Sequence, residues 1–118
     1  MDDQEDYLTV TGETLSTLGY EASFARDGRE AITIYMDALK KGQPFDLVIM
    51  DLTIPGGMGG KDTIKELMQK DPGVKAIVAS GYSNDPIMAN FSDYGFKGVL
   101  KKPFTLAELS ELVCALIG

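Results

Sequence analysis

The stretch Phe45-Asp46-Leu47-Val48-Ile49-Met50, followed at once by Asp51, is a near-continuous apolar run with no polar alternation. Such a run reads as a strand buried on both faces of a parallel sheet. Val74 to Ala79 repeats the pattern and ends at Ser80-Gly81, and Gly98-Val99-Leu100 is a shorter version just before two lysines. Upstream, Glu21 to Ala25 is a fourth strand candidate.

Helical patterns fill the intervals. Residues 4–18 carry Tyr7, Val10, Leu15 and Leu18 at near-helical spacing and stop at Gly19. Asp27 with Glu30 has the spacing of a capping box, opening a helix with Ala31, Ile32, Tyr35, Ala38 and Leu39 on one face. The Gly-rich stretch 56–60 leads into a helix marked by Ile64, Leu67 and Met68, closed by Pro72-Gly73. Asp85-Pro86 is an N-cap with proline at the first helical position, for a helix with Ile87, Phe91 and Tyr94 that stops near Gly95. Thr105 and Glu108 form a second capping box before Leu109, Leu112, Val113 and Leu116. The order α-β-α-β-α-β-α-β-α predicts right-handed βαβ units and an open parallel sheet covered on both faces.

At 118 residues, with 44% hydrophobic and 25% charged positions, the chain has the size and balance of one soluble domain. Eleven Lys and Arg against eighteen Asp and Glu give a net charge of −7, which repels nucleic acid and an anionic membrane surface. The absence of His excludes a His-ligated metal, a Ser/His/Asp or Cys/His triad and a His phosphocarrier within the chain. Cys114 has no second cysteine to pair with and, among apolar neighbours, is expected to be a small buried side chain of the last helix. No apolar run approaches the ~20 residues of a membrane span, and the N-terminus is acidic where a signal peptide is basic, so a cytoplasmic location is expected.

In open parallel sheets, chemistry gathers at the carboxyl ends of the strands. Asp51, Ser80 and Lys102 stand at or just past three such ends and would share one rim. Asp2 and Asp3 precede the first helix and would join them if a strand lay upstream. Three carboxylates in one small pocket raise one another's pKa unless a cation compensates, and a hard divalent ion suits oxygen ligands. Mg²⁺ together with Lys102 balances the three acids. A phosphoryl group on Asp51 would replace its single negative charge by about −2, which the metal, the ammonium and the Ser80 hydroxyl could share. Carboxylate nucleophiles do form acyl phosphates, and phosphoryl transfer needs little beyond alignment and charge neutralisation.

Asp2-Asp3, Asp51 within Leu47-Val48-Ile49-Met50-Asp51-Leu52-Thr53-Ile54-Pro55, Ser80 after Ile77-Val78-Ala79, and Lys102-Pro103-Phe104 resemble the motifs of response-regulator receiver domains of two-component signalling. The resemblance spans essentially the whole chain. It implies a flavodoxin-like, doubly wound α/β fold with strand order 2-1-3-4-5 and a single receiver domain over residues 1–118. It also implies Asp51 as phosphoacceptor, Lys102 as phosphoryl partner and Ser80 as switch hydroxyl. Asp3, Asp51 and the Thr53 backbone carbonyl would be Mg²⁺ ligands, with Asp2 holding the ion through water. The phosphodonor would be a histidine kinase or His-phosphotransfer domain, met near Leu8, Thr9, Pro103 and Phe104. Ala79-Ser80-Gly81-Tyr82-Ser83-Asn84-Asp85-Pro86, Tyr94-Gly95-Phe96-Lys97-Gly98 and Ile54-Pro55-Gly56-Gly57-Met58-Gly59-Gly60 look like receivers attached to hybrid sensor histidine kinases.

Two departures stand out. The family often has an aromatic switch residue three positions before the lysine, and that position is Val99. The family's apolar first strand, which lies mid-sheet, has no counterpart before Met1-Asp2-Asp3. Its loss would leave roughly ten backbone groups without partners at about 1–3 kcal/mol each, against a typical stability of about 5–15 kcal/mol. Upstream residues, or a strand from another chain, are therefore expected to complete the sheet. Met88, Phe91, Tyr94, Leu106 and Leu109 form a further candidate docking or homodimer face to the extent that they are exposed. Two other readings compete: a haloacid-dehalogenase-like phosphatase, which would need an Asp where Thr53 stands, and a degenerate receiver acting only as an interaction surface.

Overall fold

In the computed structural model, which describes residues 1–81 and 85–117, the two-sided apolar runs become strands. They are β1 (Val48–Asp51), β2 (Ala76–Ser80) and β3 (Gly98–Lys101), all parallel and hydrogen-bonded in the order β1-β2-β3. The helices are α1 (Glu5–Thr17), α2 (Gly28–Lys40), α3 (Gly60–Lys70), α4 (Pro86–Ala89) and α5 (Leu106–Ile117), with a 3₁₀ turn over Phe91–Tyr94. Every residue of β2 is buried because its neighbours alternate between two cores. Ala76 and Val78, with Met50 of β1, pack with Ile32 and Tyr35 of α2, Ile64 and Leu67 of α3 and Ile87 of α4. Ile77 and Ala79, with Leu100 of β3, pack with Leu109 and Val113 of α5 and with Leu15 of α1. This is the doubly wound α/β arrangement expected from the sequence.

The caps form where the spacing puts them. Asp27 accepts a hydrogen bond from the Glu30 N–H at 3.0 Å, Thr105 from the Glu108 N–H at 3.1 Å, and Asp85 from the Ile87 N–H at 2.9 Å. The first turn of α2 lies hard against α3: a Cβ at Gly28 would come within 1.9 Å of Thr63 Oγ1. That contact admits only glycine without a shift of one helix.

Three expectations are corrected. Glu21 to Ala25 is not a strand, and the sheet has three strands among the described residues rather than four. A strand exists through its ladder partner, and among the described residues this segment has one sheet-like bond, from the Asp2 N–H to Ala25 O at 3.0 Å. On its other side Met1 donates to Ile49 O at 2.6 Å and accepts from the Asp51 N–H at 2.9 Å. Met1 and Asp2 thus make the last rung of a strand between residue 25 and β1. Behind that rung lies a cleft of about 820 Å³ lined by Leu15, Phe24, Tyr35, Leu47 and Ile49 among others.

The helix expected from Pro86 to Tyr94 divides at Asn90, whose backbone N–H and side-chain amide both donate to Pro86 O. A side chain competing for a helical carbonyl favours termination there. Cys114 is exposed, not buried, because Val113 and Leu109 hold the core-facing line of α5 and the next residue turns away. Tyr82, Ser83 and Asn84, part of the motif that resembled hybrid-kinase receivers, lie outside the described residues. No described helix is long and apolar enough to cross a membrane.

Candidate functional site

Asp51 closes β1, and its side chain stands at the rim where the parallel strands end. Lys102 directly follows β3; its N–H donates to Ser80 O at 2.9 Å, continuing the ladder one residue beyond the strand. The peptide from Lys102 to Pro103 is cis. From this anchor the Lys102 ammonium donates to Asp2 Oδ2 at 2.6 Å and to Asp51 Oδ2 at 3.1 Å. All three side chains are nearly closed off from solvent, at 9% exposure for Lys102, 10% for Asp2 and 11% for Asp51, so these are not screened surface pairs. Asp2 Oδ1 also accepts the Gln4 N–H at 3.0 Å, a local turn that leads into α1.

Asp3 is exposed, yet carboxylate oxygens of Asp2, Asp3 and Asp51 lie within 4.8 Å of one another. Three carboxylates against the Lys102 ammonium leave a charge of −2, which one divalent cation would balance. The all-oxygen donor set fits a hard ion such as Mg²⁺ and not a thiophilic one.

Burial pushes the Asp51 carboxyl above its usual range, against the opposing pull of Lys102 and of the Thr53 N–H that it accepts. Burial pulls the Lys102 ammonium down, but hydrogen bonds and charge from Asp2 and Asp51 outweigh it and hold the group above its usual value. The site therefore keeps a charged lysine beside a carboxylate that gains from any added cation.

A family model for the response regulator receiver domain matches residues 1–114. The chain belongs to this family. The chemotaxis protein CheY of Thermotoga maritima is 35% identical over 112 residues, covering 94% of this chain and 88% of that protein. The sensor kinase CckA of Brucella abortus is 34% identical over 112 residues, which is 94% of this chain but 11% of the kinase. Among solved structures, the response regulator TrrA of Thermotoga maritima in complex with Mg²⁺ and BeF superposes with a TM-score of 0.82 at 29% identity, over 98% of this chain and 93% of that one. The receiver domain reading thus stands, and the haloacid-dehalogenase alternative is not favoured.

Within this receiver domain the structure brings Asp2, Asp3, Asp51 and Lys102 together and sets Ser80, fully buried at the end of β2, on the same rim. Thr53 is exposed two residues past Asp51. Of the expected partner-binding residues, Thr9 and Pro103 are exposed while Leu8 and Phe104 are half-buried. In the candidate docking set, Leu106 is 57% exposed, whereas Met88 and Leu109 are buried in the core.

Two participants were not read from the sequence as parts of the site. Tyr7, read as one of a helical apolar stripe, lays its ring over the Lys102 ammonium, 4.2 Å from Nζ to centroid. Met1 was read only as the residue before the acids, and it is the rung that ties them to β1. No local spacing signals a contact between residues 7 and 102.

Proposed function

We propose that this receiver domain takes a phosphoryl group from a phosphohistidine of a histidine kinase or His-phosphotransfer domain onto Asp51. The carrying observation is the buried Lys102 ammonium shared by Asp2 and Asp51 inside a three-carboxylate cluster at the strand ends. An Asp51 carboxylate oxygen attacks phosphorus, the P–N bond breaks, and the imidazole leaves with the electron pair and takes up a proton from water. Asp2, Asp3, Asp51 and the Thr53 carbonyl would hold Mg²⁺, which when bound neutralises charge on the phosphoryl oxygens. Lys102 moves part of its hydrogen bonding from the carboxylates to a phosphoryl oxygen, and the Ser80 hydroxyl serves another. The Mg²⁺ and BeF complex of the relative TrrA supports the metal and the phosphoryl-like ligand. The match to the sensor kinase CckA supports a hybrid-kinase parent; a cytoplasmic setting and a donor-docking surface through Leu8, Thr9, Pro103 and Phe104, of which Thr9 and Pro103 are exposed, complete the proposal.

Incubation with acetyl phosphate and Mg²⁺ tests this reading. The intact protein gains the mass of one phosphoryl group, Asp51→Asn gains none, and chelation of Mg²⁺ abolishes the gain. An equal gain in Asp51→Asn would refute the assignment.

We further propose that the cleft behind Met1 seats an apolar strand parallel to β1, supplied by polypeptide outside residues 1–118. The rung from Met1 to Ile49 and Asp51 supports the direction, and the apolar lining supports the composition.

A further inference from the structure

An ammonium has three N–H bonds, and in Lys102 two of them are taken by Asp2 Oδ2 at 2.6 Å and Asp51 Oδ2 at 3.1 Å. Tyr7, in the first turn of α1, covers a further side of the group with the face of its ring, 4.2 Å from Nζ. Phe104 braces that ring from the segment after Lys102, with centroids 5.8 Å apart and planes inclined by 48°. The lysine is thus held from three directions: one acid before α1, one acid at the end of β1, and one aromatic face.

We propose that Tyr7 is a positioning residue for the phosphoryl chemistry, holding the Lys102 ammonium between Asp2 and Asp51 through the face of its ring. The inference rests on the phosphoacceptor reading of Asp51 and deepens it.

The ring does something a third carboxylate could not. A lysine side chain is a flexible four-carbon stem, and a bare third side would let water draw the ammonium outward. The negative face of an aromatic ring attracts a cation without a directed hydrogen bond. The ammonium can therefore pivot from a carboxylate toward a phosphoryl oxygen while staying against the ring. A carboxylate at the same place would bind it in one direction and add charge repelling the incoming phosphoryl group. The face of the ring, not the phenol oxygen, does this work, so phenylalanine should replace tyrosine and leucine should not.

The test measures phosphorylation by acetyl phosphate at saturating Mg²⁺ in the intact protein, Tyr7→Phe and Tyr7→Leu, with Asp51→Asn as reference. Tyr7→Leu is expected to lower the maximal rate constant about 3- to 10-fold, with less than about 2-fold change in the Mg²⁺ midpoint, while Tyr7→Phe stays within about 2-fold. Because Tyr7→Leu also alters packing on Phe104, a second readout uses the intact protein: NMR of the Lys102 ε-methylene protons. A ring-current shift upfield by more than about 0.3 ppm, lost in Tyr7→Leu, is expected from a ring at cation–π distance. Equal rates in Tyr7→Leu, or ε-protons at their unstructured position in the intact protein, overturn the inference. Absence of any Asp51-dependent phosphorylation in the intact protein overturns the phosphoacceptor reading itself, and the ring-current shift then still reports whether the ring covers the lysine.

Discussion

The two halves of the sheet are built to different standards. From β1 to β3 every strand has a laddered neighbour, both faces are covered, and β2 is wholly buried. From Glu21 to β1 the backbone is joined through Met1 and Asp2, with a cleft of about 820 Å³ behind them. The candidate site straddles this boundary. Asp51, Ser80 and Lys102 belong to the closed half, while Asp2 and Asp3 belong to the open one. The chemistry of the rim thus depends on how firmly the open half is held, and the rate of phosphorylation should be more sensitive to that half than the core packing suggests.

The largest expected effect comes from filling the cleft. Five apolar residues joined to the Met1 nitrogen should raise the free energy of chemical unfolding by on the order of 4 kcal/mol, since they give partners to backbone groups on both sides and bury apolar surface. The same five residues all as Gly and Ser should raise it far less; equal gains would mean that the cleft does not select an apolar strand. Next come matched truncations. Leu109→Ala, in the closed half, should cost about 3 kcal/mol, and Leu15→Ala, beside the cleft, about 1 kcal/mol. Equal costs in urea denaturation would erase the distinction between the halves.

A smaller effect concerns the Met1 amine, whose pKa falls from 8.0 to about 6 on burial. A group with a lowered folded pKa holds its proton less tightly in the folded chain. Its contribution is fully present above pH 8 and is lost as pH falls toward 6, by on the order of 3 kcal/mol. Acetylation of that amine should remove this part of the pH dependence; unfolding curves of the two forms that run parallel from pH 8 to 5 would show that the amine is not buried as a charge. The smallest effect is at the surface: Arg26 and Glu5 form a 2.6 Å ion pair with both side chains about two-thirds exposed. Arg26→Ala should shift stability by less than about 0.5 kcal/mol, and a larger loss would mean that this pair anchors the open half.

What the sequence made legible follows the range of the interactions involved. The strands around Val48–Asp51 and Ala76–Ser80 were visible because burial on both faces writes itself into consecutive residues. The caps at Asp27, Asp85 and Thr105 were visible because they act within three residues. Asp51, Ser80 and Lys102 could be placed on one rim because they terminate apolar runs. Glu21 to Ala25 was misread because a strand is defined by a partner, and local composition cannot report whether that partner is there. Cys114 was misjudged by one step of helical phase, since its apolar neighbours resemble a core on either side. Tyr7 escaped because its contact with Lys102 joins opposite ends of the chain.

The rung at Met1 also has a mechanical meaning. Asp2 and Asp3 hang like a short cantilever from a single clamp, and the angular play of that clamp becomes positional play at their oxygens. Asp2 is steadied by Lys102 and by the Gln4 N–H, whereas among the described residues exposed Asp3 has only the clamp and the start of α1 to fix it. Of the three acids, Asp3 therefore has the widest arc to sweep and the most to lose in entropy when a cation brings it to rest.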